Sequence, residues 1–279
     1  MPPPPYASPL ERAWFYTFRG LCGLIFVFLI GPIVVIIPLA FNSEPYFTYP
    51  MAGYSTRWYE VLFGDSPQSL LWQRSVRNSV VIGCVATLFA TILGTLAALG
   101  MSRAQFPFKG SVLAVLISPI VVPIVITAVG MYYFYARIGL ASTIPGIILA
   151  HTALGVPFVV ITVTATLAGF DYNMARAGAS LGATPVRVFF KITLPLILPG
   201  VISGALFAFA TSWDEIVVVL FLASVEQHTI PRRMWSGIRE LISPTILAAA
   251  SMLILLSILL MTTMELLRRR GERLRGITP

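Results

Sequence analysis

LGATPVRVFFKITLPLILPG, residues 181–200, lies between two long apolar stretches and carries two basic residues, three prolines and two glycines. Thr184 is placed to cap a helix, with Pro185 in its first turn. Arg187 and Lys191 then form a basic pair at i, i+4, Phe189 and Phe190 supply bulk, and Val188, Ile192 and Pro195 fall along one side. Pro195 and Pro199 are expected to stop this helix and start the next apolar one. Just upstream, DYNMARAGASLGA (residues 171–183) is rich in small residues. Gly178 and Gly182 are four apart, which predicts one smooth helical face open to another surface. The whole reads as two short helices joined at a Gly-Ala-Thr-Pro corner. It serves either as a plain interfacial linker or as a docking element for a protein partner.

The rest of the chain says what this segment interrupts. Of 279 residues, 57% are hydrophobic and only 11% charged, where a soluble globular chain carries about 25% charge. Apolar runs of roughly 20 residues recur, each able to cross about 30 Å of hydrocarbon, and a lone span must satisfy its own backbone as a helix. Six spans are predicted: Leu21–Phe41, Val76–Leu99, Ser111–Tyr135, Ile144–Leu167, Pro199–Ala223 and Pro244–Leu267. The fold class is therefore all-α, polytopic, with a transmembrane domain over 21–267 that includes the loop 169–198. Residues 1–20 read as a short disordered tail plus an interfacial anchor, and 268–279 as a basic tail. The first apolar run is too long for a signal-peptide core and reads as a retained helix. Pro119 and Pro123 predict a kink in the third span.

Six spans place both termini on one side. Arg12, Arg19, Arg103, Lys109, Arg176, Arg187, Lys191, Arg268, Arg269, Arg270, Arg273 and Arg275 share that side with the acids Glu11, Asp171, Glu265 and Glu272. Seven basic residues and seven acids fall on the other. The asymmetry predicts that the termini and the 181–200 loop are cytoplasmic. The net charge of +8 thus reads as positive-inside loops and not as a nucleic-acid surface. Cys22 and Cys84 sit in apolar runs without ligand spacing and read as small buried hydrophobes.

The order Ala177, Leu181, Gly182, Ala183, Phe189, Ile192, Leu194, Pro195, Pro199, Gly200 resembles the EAA loop of ABC-importer permeases, and it lies between the fourth and fifth of six spans, as in that family. The resemblance implies the type I importer permease fold. It also implies a coupling helix that seats in a groove of a cytoplasmic ATPase subunit through Arg176, Ala177, Gly178, Leu181, Gly182, Ala183, Thr184, Pro185 and Phe189. The motif's Glu falls at Arg176 and its second Ala at Gly178, so the groove needs a matching acid, or Asp171 serves instead. FAFATSWDEIVVVLFLASVEQHTIPRRMWSGIRELISPTILA, residues 207–248, is similar to the polyamine branch, the spermidine/putrescine permeases. The likeness runs from about Ser75 to the last span. It implies a second permease subunit, two ATPase subunits holding ATP and Mg, an extracytoplasmic solute-binding protein, and a bacterial inner membrane. No cofactor is expected on this chain, which lacks the GxxxxGK[ST] phosphate loop, and no catalytic activity of its own.

Candidate cargo contacts are few. Asp214 and Glu215 are expected near mid-depth of the fifth span, where a charge needs water or a partner. They read as an internal ion pair, a hinge hydrogen bond, or a cation-attracting point, with Asp214 favoured as the one facing the path. Trp213 would add a cation–π contact. Tyr132, Tyr133 and Tyr135 end the third span, as an aromatic belt or as a gate that includes Tyr132 and Tyr135. His151 reads as an interhelical hydrogen bond and His228 as an outer-loop residue. Arg232 and Arg233 are either solvated or paired with acids of a binding protein. An ion-coupled secondary transporter, or an importer of an amino acid or opine-like compound, are the alternatives. No metal site is expected.

Overall fold

The computed structural model describes residue 6 and residues 8–102, 108–240 and 243–274. Arg103 and Arg275, both counted on the basic side, lie outside these. The elements run α1 Pro9–Leu39, α2 Arg57–Phe63, α3 Pro67–Met101, α4 Lys109–Val121, α5 Ile124–Arg137, α6 Ile144–Ala168, α7 Tyr172–Ser180 and α8 Pro185–Val188. A π turn at Phe189–Thr193 leads into α9 Leu194–Asp214, then α10 Val217–Leu222, a 3-10 turn Val225–Gln227, α11 Ile230–Glu240 and α12 Pro244–Leu274. Among the described residues there is no sheet, only an isolated antiparallel bridge between Asn42 and Tyr54.

The bundle is centred on α3, α6 and α9, whose contact residues are small. A Cβ on Gly94 of α3 would lie 2.6 Å from Cβ of Val159 on α6, and one on Gly155 would lie 3.0 Å from Cβ of Ala208 on α9. Without side chains at these points the backbones pack close, which gains dispersion where lipid offers no hydrophobic drive. Ala90, Ala98, Val159, Val163, Ile197, Val201 and Ala208 fill the seam. A second cluster gathers Trp58, Leu62, Trp72, Trp213 and Ile230 at the end where α2 and α11 lie. There the Nε1 of Trp58 donates to the carbonyl of Asn42 at 2.6 Å, which pins the loop after α1.

Five helices are long and apolar enough to cross a membrane, and the pair α4–α5 would make a sixth if counted as one. The kink expected in the third span is present next to Pro123 and amounts to a break, with α4 and α5 bent by 105°. Val122 is extended (φ −72°, ψ 133°), as the residue before a proline tends to be. Pro123, which has no N–H, starts a new helix in place of bending the old one. The expected fifth span, Pro199–Ala223, is corrected at both ends. The helix runs through Pro195 and Pro199 from the loop, as a stretch Pro185–Asp214, and it breaks at Glu215. The N-terminal segment is also shorter than expected. A capping box, in which Ser8 Oγ accepts from Glu11 N and Glu11 Oε2 accepts from Ser8 N, starts α1 at Pro9. At the other end α12 continues into the basic tail as far as Leu274. α1 buries none of its residues against the bundle, and apolar side chains such as Leu24 and Phe28 point outward along it.

Candidate functional site

Asp171 caps α7, its Oδ1 accepting from Asn173 N at 2.9 Å. The carboxylate is thus engaged at the start of the helix. α7 ends in a left-handed cap: Gly182 N donates to Ala179 O at 3.0 Å, Ala183 N donates to Gly178 O at 3.2 Å, and Gly182 has φ +82°. Gly182 therefore lies beyond the helix, which corrects its expected place on one helical face with Gly178. Thr184 restarts the chain as a helix, its Oγ1 accepting from Arg187 N at 3.4 Å, with Pro185 in the first turn. The corner is short because both flanking helices are capped locally.

The two glycines do different work. Gly178 faces inward, where a Cβ would lie 2.5 Å from Cδ1 of Ile192. A Cβ on Gly182 would meet nothing within 4 Å, so its conformation, not crowding, requires glycine. Ile192 sits in the π turn, where Leu194 N donates to Phe189 O in place of the usual i−4 carbonyl. The wider turn comes just before Pro195, whose ring would otherwise press on the carbonyl of Lys191. This is how the helix passes a proline that was expected to stop it. Arg176, Ala177, Leu181, Gly182, Thr184 and Pro185 are exposed, while Gly178, Ala183 and Phe189 are half-buried. Leu181 is 89% exposed at the corner, an apolar knob on a polar loop. Behind it a recess of about 440 Å³ is lined by Leu99, Phe170, Ala179, Ala183, Val188 and Phe189 among others.

The second group of candidates lies at the break between α9 and α10. Asp214 is the last residue of α9, and Glu215 is extended (ψ 124°) in the break that follows it. Glu215 is buried, and its Oε1 accepts from Val218 N at 2.8 Å. This carboxylate holds the first turn of α10. Asp214 is exposed. Trp213 is buried and stacked on Phe209 at 5.6 Å with an interplanar angle of 18°, so one ring face is already covered. Tyr135 is buried in a cluster with Val218, Val219 and Leu222 of α10, which brings α5 against the broken segment. Tyr132 is 41% exposed and meets Tyr133 edge-on at 5.8 Å. The break thus joins Glu215 and Tyr135 through α10, leaves Asp214 open, and turns Trp213 into a different cluster.

Two further arrangements bear on the site. His151 Nδ1 lies 2.7 Å from Ser212 Oγ, both buried. This is the interhelical hydrogen bond expected of His151, with a partner one turn before the break. At the opposite end of the bundle from the loop, Arg74 and Arg77 face a cleft that sequence reading did not single out. Their i, i+3 spacing on α3 is the signal that was available. Among the described residues no three His, Cys, Asp or Glu side chains gather into a metal site.

The profile of the family described as binding-protein-dependent transport system inner membrane component matches residues 90–273. The chain is 32% identical over 258 residues to the spermidine/putrescine transport system permease protein PotC of Haemophilus influenzae, covering 92% of this chain and 98% of that one. It is 34% identical over 237 residues to the putrescine transport system permease protein PotI of Escherichia coli, covering 82% of each. The fold is shared with a bacterial ABC transporter involved in the import of the acidic polysaccharide alginate, at a TM-score of 0.75 and 15% identity over 94% of this chain and 99% of that one.

Proposed function

Because the chain belongs to the family of binding-protein-dependent transport system inner membrane components, we propose that it is the permease subunit of an ATP-driven importer whose cargo is a polyamine of the spermidine or putrescine class. Two relatives that match most of its length carry such cargo in their names. The observation that carries the reading is the continuity between loop and path: Pro185–Asp214 forms one 30-residue helical stretch. It leads from the Gly182 corner to an exposed carboxylate.

A 30-residue helix spans about 45 Å, enough to cross the bilayer. A push on the corner moves Asp214 with it, because the helical stretch between them is continuous and α9 is packed on α6. In this reading the loop seats in a cytoplasmic ATPase subunit, with both termini on the same side. Leu181 fills an apolar socket, and Arg176 meets an acid of the groove. A second permease completes the path, two ATPase subunits supply ATP and Mg, and a solute-binding protein delivers cargo from outside the inner membrane. ATP binding closes the ATPase pair and opens the path outward; hydrolysis resets it. Asp214 gives a cationic cargo a countercharge at the point where α9 ends, where an ammonium group would otherwise be poorly solvated. Glu215, committed to α10, keeps that end from unravelling.

The test is uptake of radiolabelled putrescine and spermidine into proteoliposomes holding the whole complex with its binding protein. Wild-type uptake is expected to need internal ATP, and Asp214→Asn is expected to lower it at least about tenfold, because a cationic cargo loses its countercharge on the path. Uptake driven by an ion gradient without ATP overturns the importer reading. Transport of an amino acid but no polyamine overturns the cargo.

A further inference from the structure

At the end of the bundle away from the 181–200 loop, a cleft of about 690 Å³ opens between the first turns of α3, the start of α6 and the 3-10 turn at Val225–Gln227. Its walls carry Gln73, Arg74, Arg77, Asn78, Glu226 and Gln227. The turn on one side is held rigidly. Asn78 Nδ2 donates to the carbonyls of Glu226 at 2.8 Å and His228 at 3.1 Å, Ile230 N donates to Ser79 Oγ at 2.9 Å, and Gln227 Oε1 accepts from Ser224 N at 3.0 Å. Arg74 and Arg77 are exposed, and among the described residues neither has a hydrogen bond or an ion pair. Two unpaired guanidinium groups one helical turn apart, beside a braced turn, make a preformed fork for carboxylates.

We infer that this cleft seats an acidic surface segment of the solute-binding protein, with Arg74 and Arg77 as its charge anchors. The inference rests on the importer reading and names where that partner docks. Three observations favour this occupant. α3 has 35 residues, about 52 Å, against about 30 Å of hydrocarbon, so its first turns stand clear of lipid tails. Six polar side chains line it beside Leu70 and Ile144, which suits a mixed, partly wet protein contact. And two unpaired guanidinium groups would repel a cationic cargo, which leaves an anionic partner as the fit for this cleft. The exposed Glu226 on the opposite wall adds direction: it rejects an acid placed on the wrong side of the cleft.

The experiment measures binding of the fluorescently labelled binding protein to the whole complex in nanodiscs. Wild type is expected to bind more weakly as salt rises from about 0.05 to 0.5 M, because exposed charge pairs are screened. Arg74→Glu with Arg77→Glu is expected to weaken binding about tenfold or more, mostly through a slower association rate, and to remove the salt dependence. The double variant Arg74→Lys with Arg77→Lys is expected to keep the salt dependence, since the charge remains, and to bind between wild type and the charge reversal, since an ammonium lacks the planar fork. ATP hydrolysis without binding protein should be the same in all three. Charge reversal that leaves affinity and salt slope unchanged overturns the cleft while the importer reading stands. So does loss of co-purifying anionic lipid, or of the second permease, with docking intact. A wild-type complex that recruits no binding protein overturns the importer reading and this inference together.

Discussion

A Cβ built on Gly178 falls 2.5 Å from Cδ1 of Ile192, so the first helix of the loop rests directly on the π turn that opens α9. The obstructing atom is the end of a flexible side chain. Rotating it costs about 0.5–1.5 kcal/mol, and alanine returns about 1 kcal/mol of helix propensity over glycine. Gly178→Ala is therefore expected to leave the melting temperature and the recovery of the ATPase subunits near wild type. Gly178→Leu cannot be absorbed this way and is expected to lift α7 off the π turn. Tm in detergent and the ATPase yield on affinity purification distinguish the two.

Gly182 should respond in the opposite order. Its φ of +82° strains any residue with a Cβ by about 1–2 kcal/mol, even though a Cβ there would touch nothing within 4 Å. Asn, which tolerates the left-handed region, is expected to be milder than Ala, and Val harsher than both. The ranking is read as Tm and as the fraction of complex retaining ATPase. An equal loss for Asn and Val would mean that size at a docking surface, not backbone conformation, sets the requirement.

Ser212→Ala removes the buried partner of His151, 2.7 Å away. A buried polar group left unpaired costs about 1–3 kcal/mol. Thermal unfolding should show that loss with the membrane insertion of the chain unchanged. Wild-type stability would show that water replaces the hydroxyl.

Glu215 separates structure from charge. Glu215→Gln keeps an oxygen that accepts from Val218 N and is expected to hold α10 in place. Glu215→Ala is expected to free its first turn, costing about 1.5–3 kcal/mol for a hydrogen bond to a charged group. Hydrogen exchange at the amides of residues 216–219 reads the difference directly. If Gln frees the turn as much as Ala does, the charge and not the hydrogen bond holds it.

His228 predicts a pH dependence at the opposite end of the protein from the loop. Burial, with the cationic Arg232 and Arg233 nearby, pushes its pKa down from 6.5 to about 4. The unfolded chain takes a proton near 6.5, which the folded chain refuses until about pH 4. The contribution is thus fully present above about pH 6.5 and drains away as pH falls toward 4. Replacing His228 by Gln is expected to flatten the loss of Tm over that range.

What the sequence determined by itself is what depends on near neighbours. Hydrophobic length places the long helices, and the Thr184–Pro185 start and the Gly182 cap define the loop corner within six residues of chain. The order of small and bulky residues was enough to suggest the family. Tertiary structure decided what depends on partners far along the chain. The π turn exists because Pro195 continues a helix that packing on α6 holds in line. Gly178 turned inward because Ile192 lies across from it. The acid pair parted roles, Glu215 bracing α10 and Asp214 staying open, because α9 ends where Trp213 enters a cluster with Trp58 and Trp72. Periodicity in one segment carries no record of such contacts, since each is set by the distance between helices that only the folded bundle brings together.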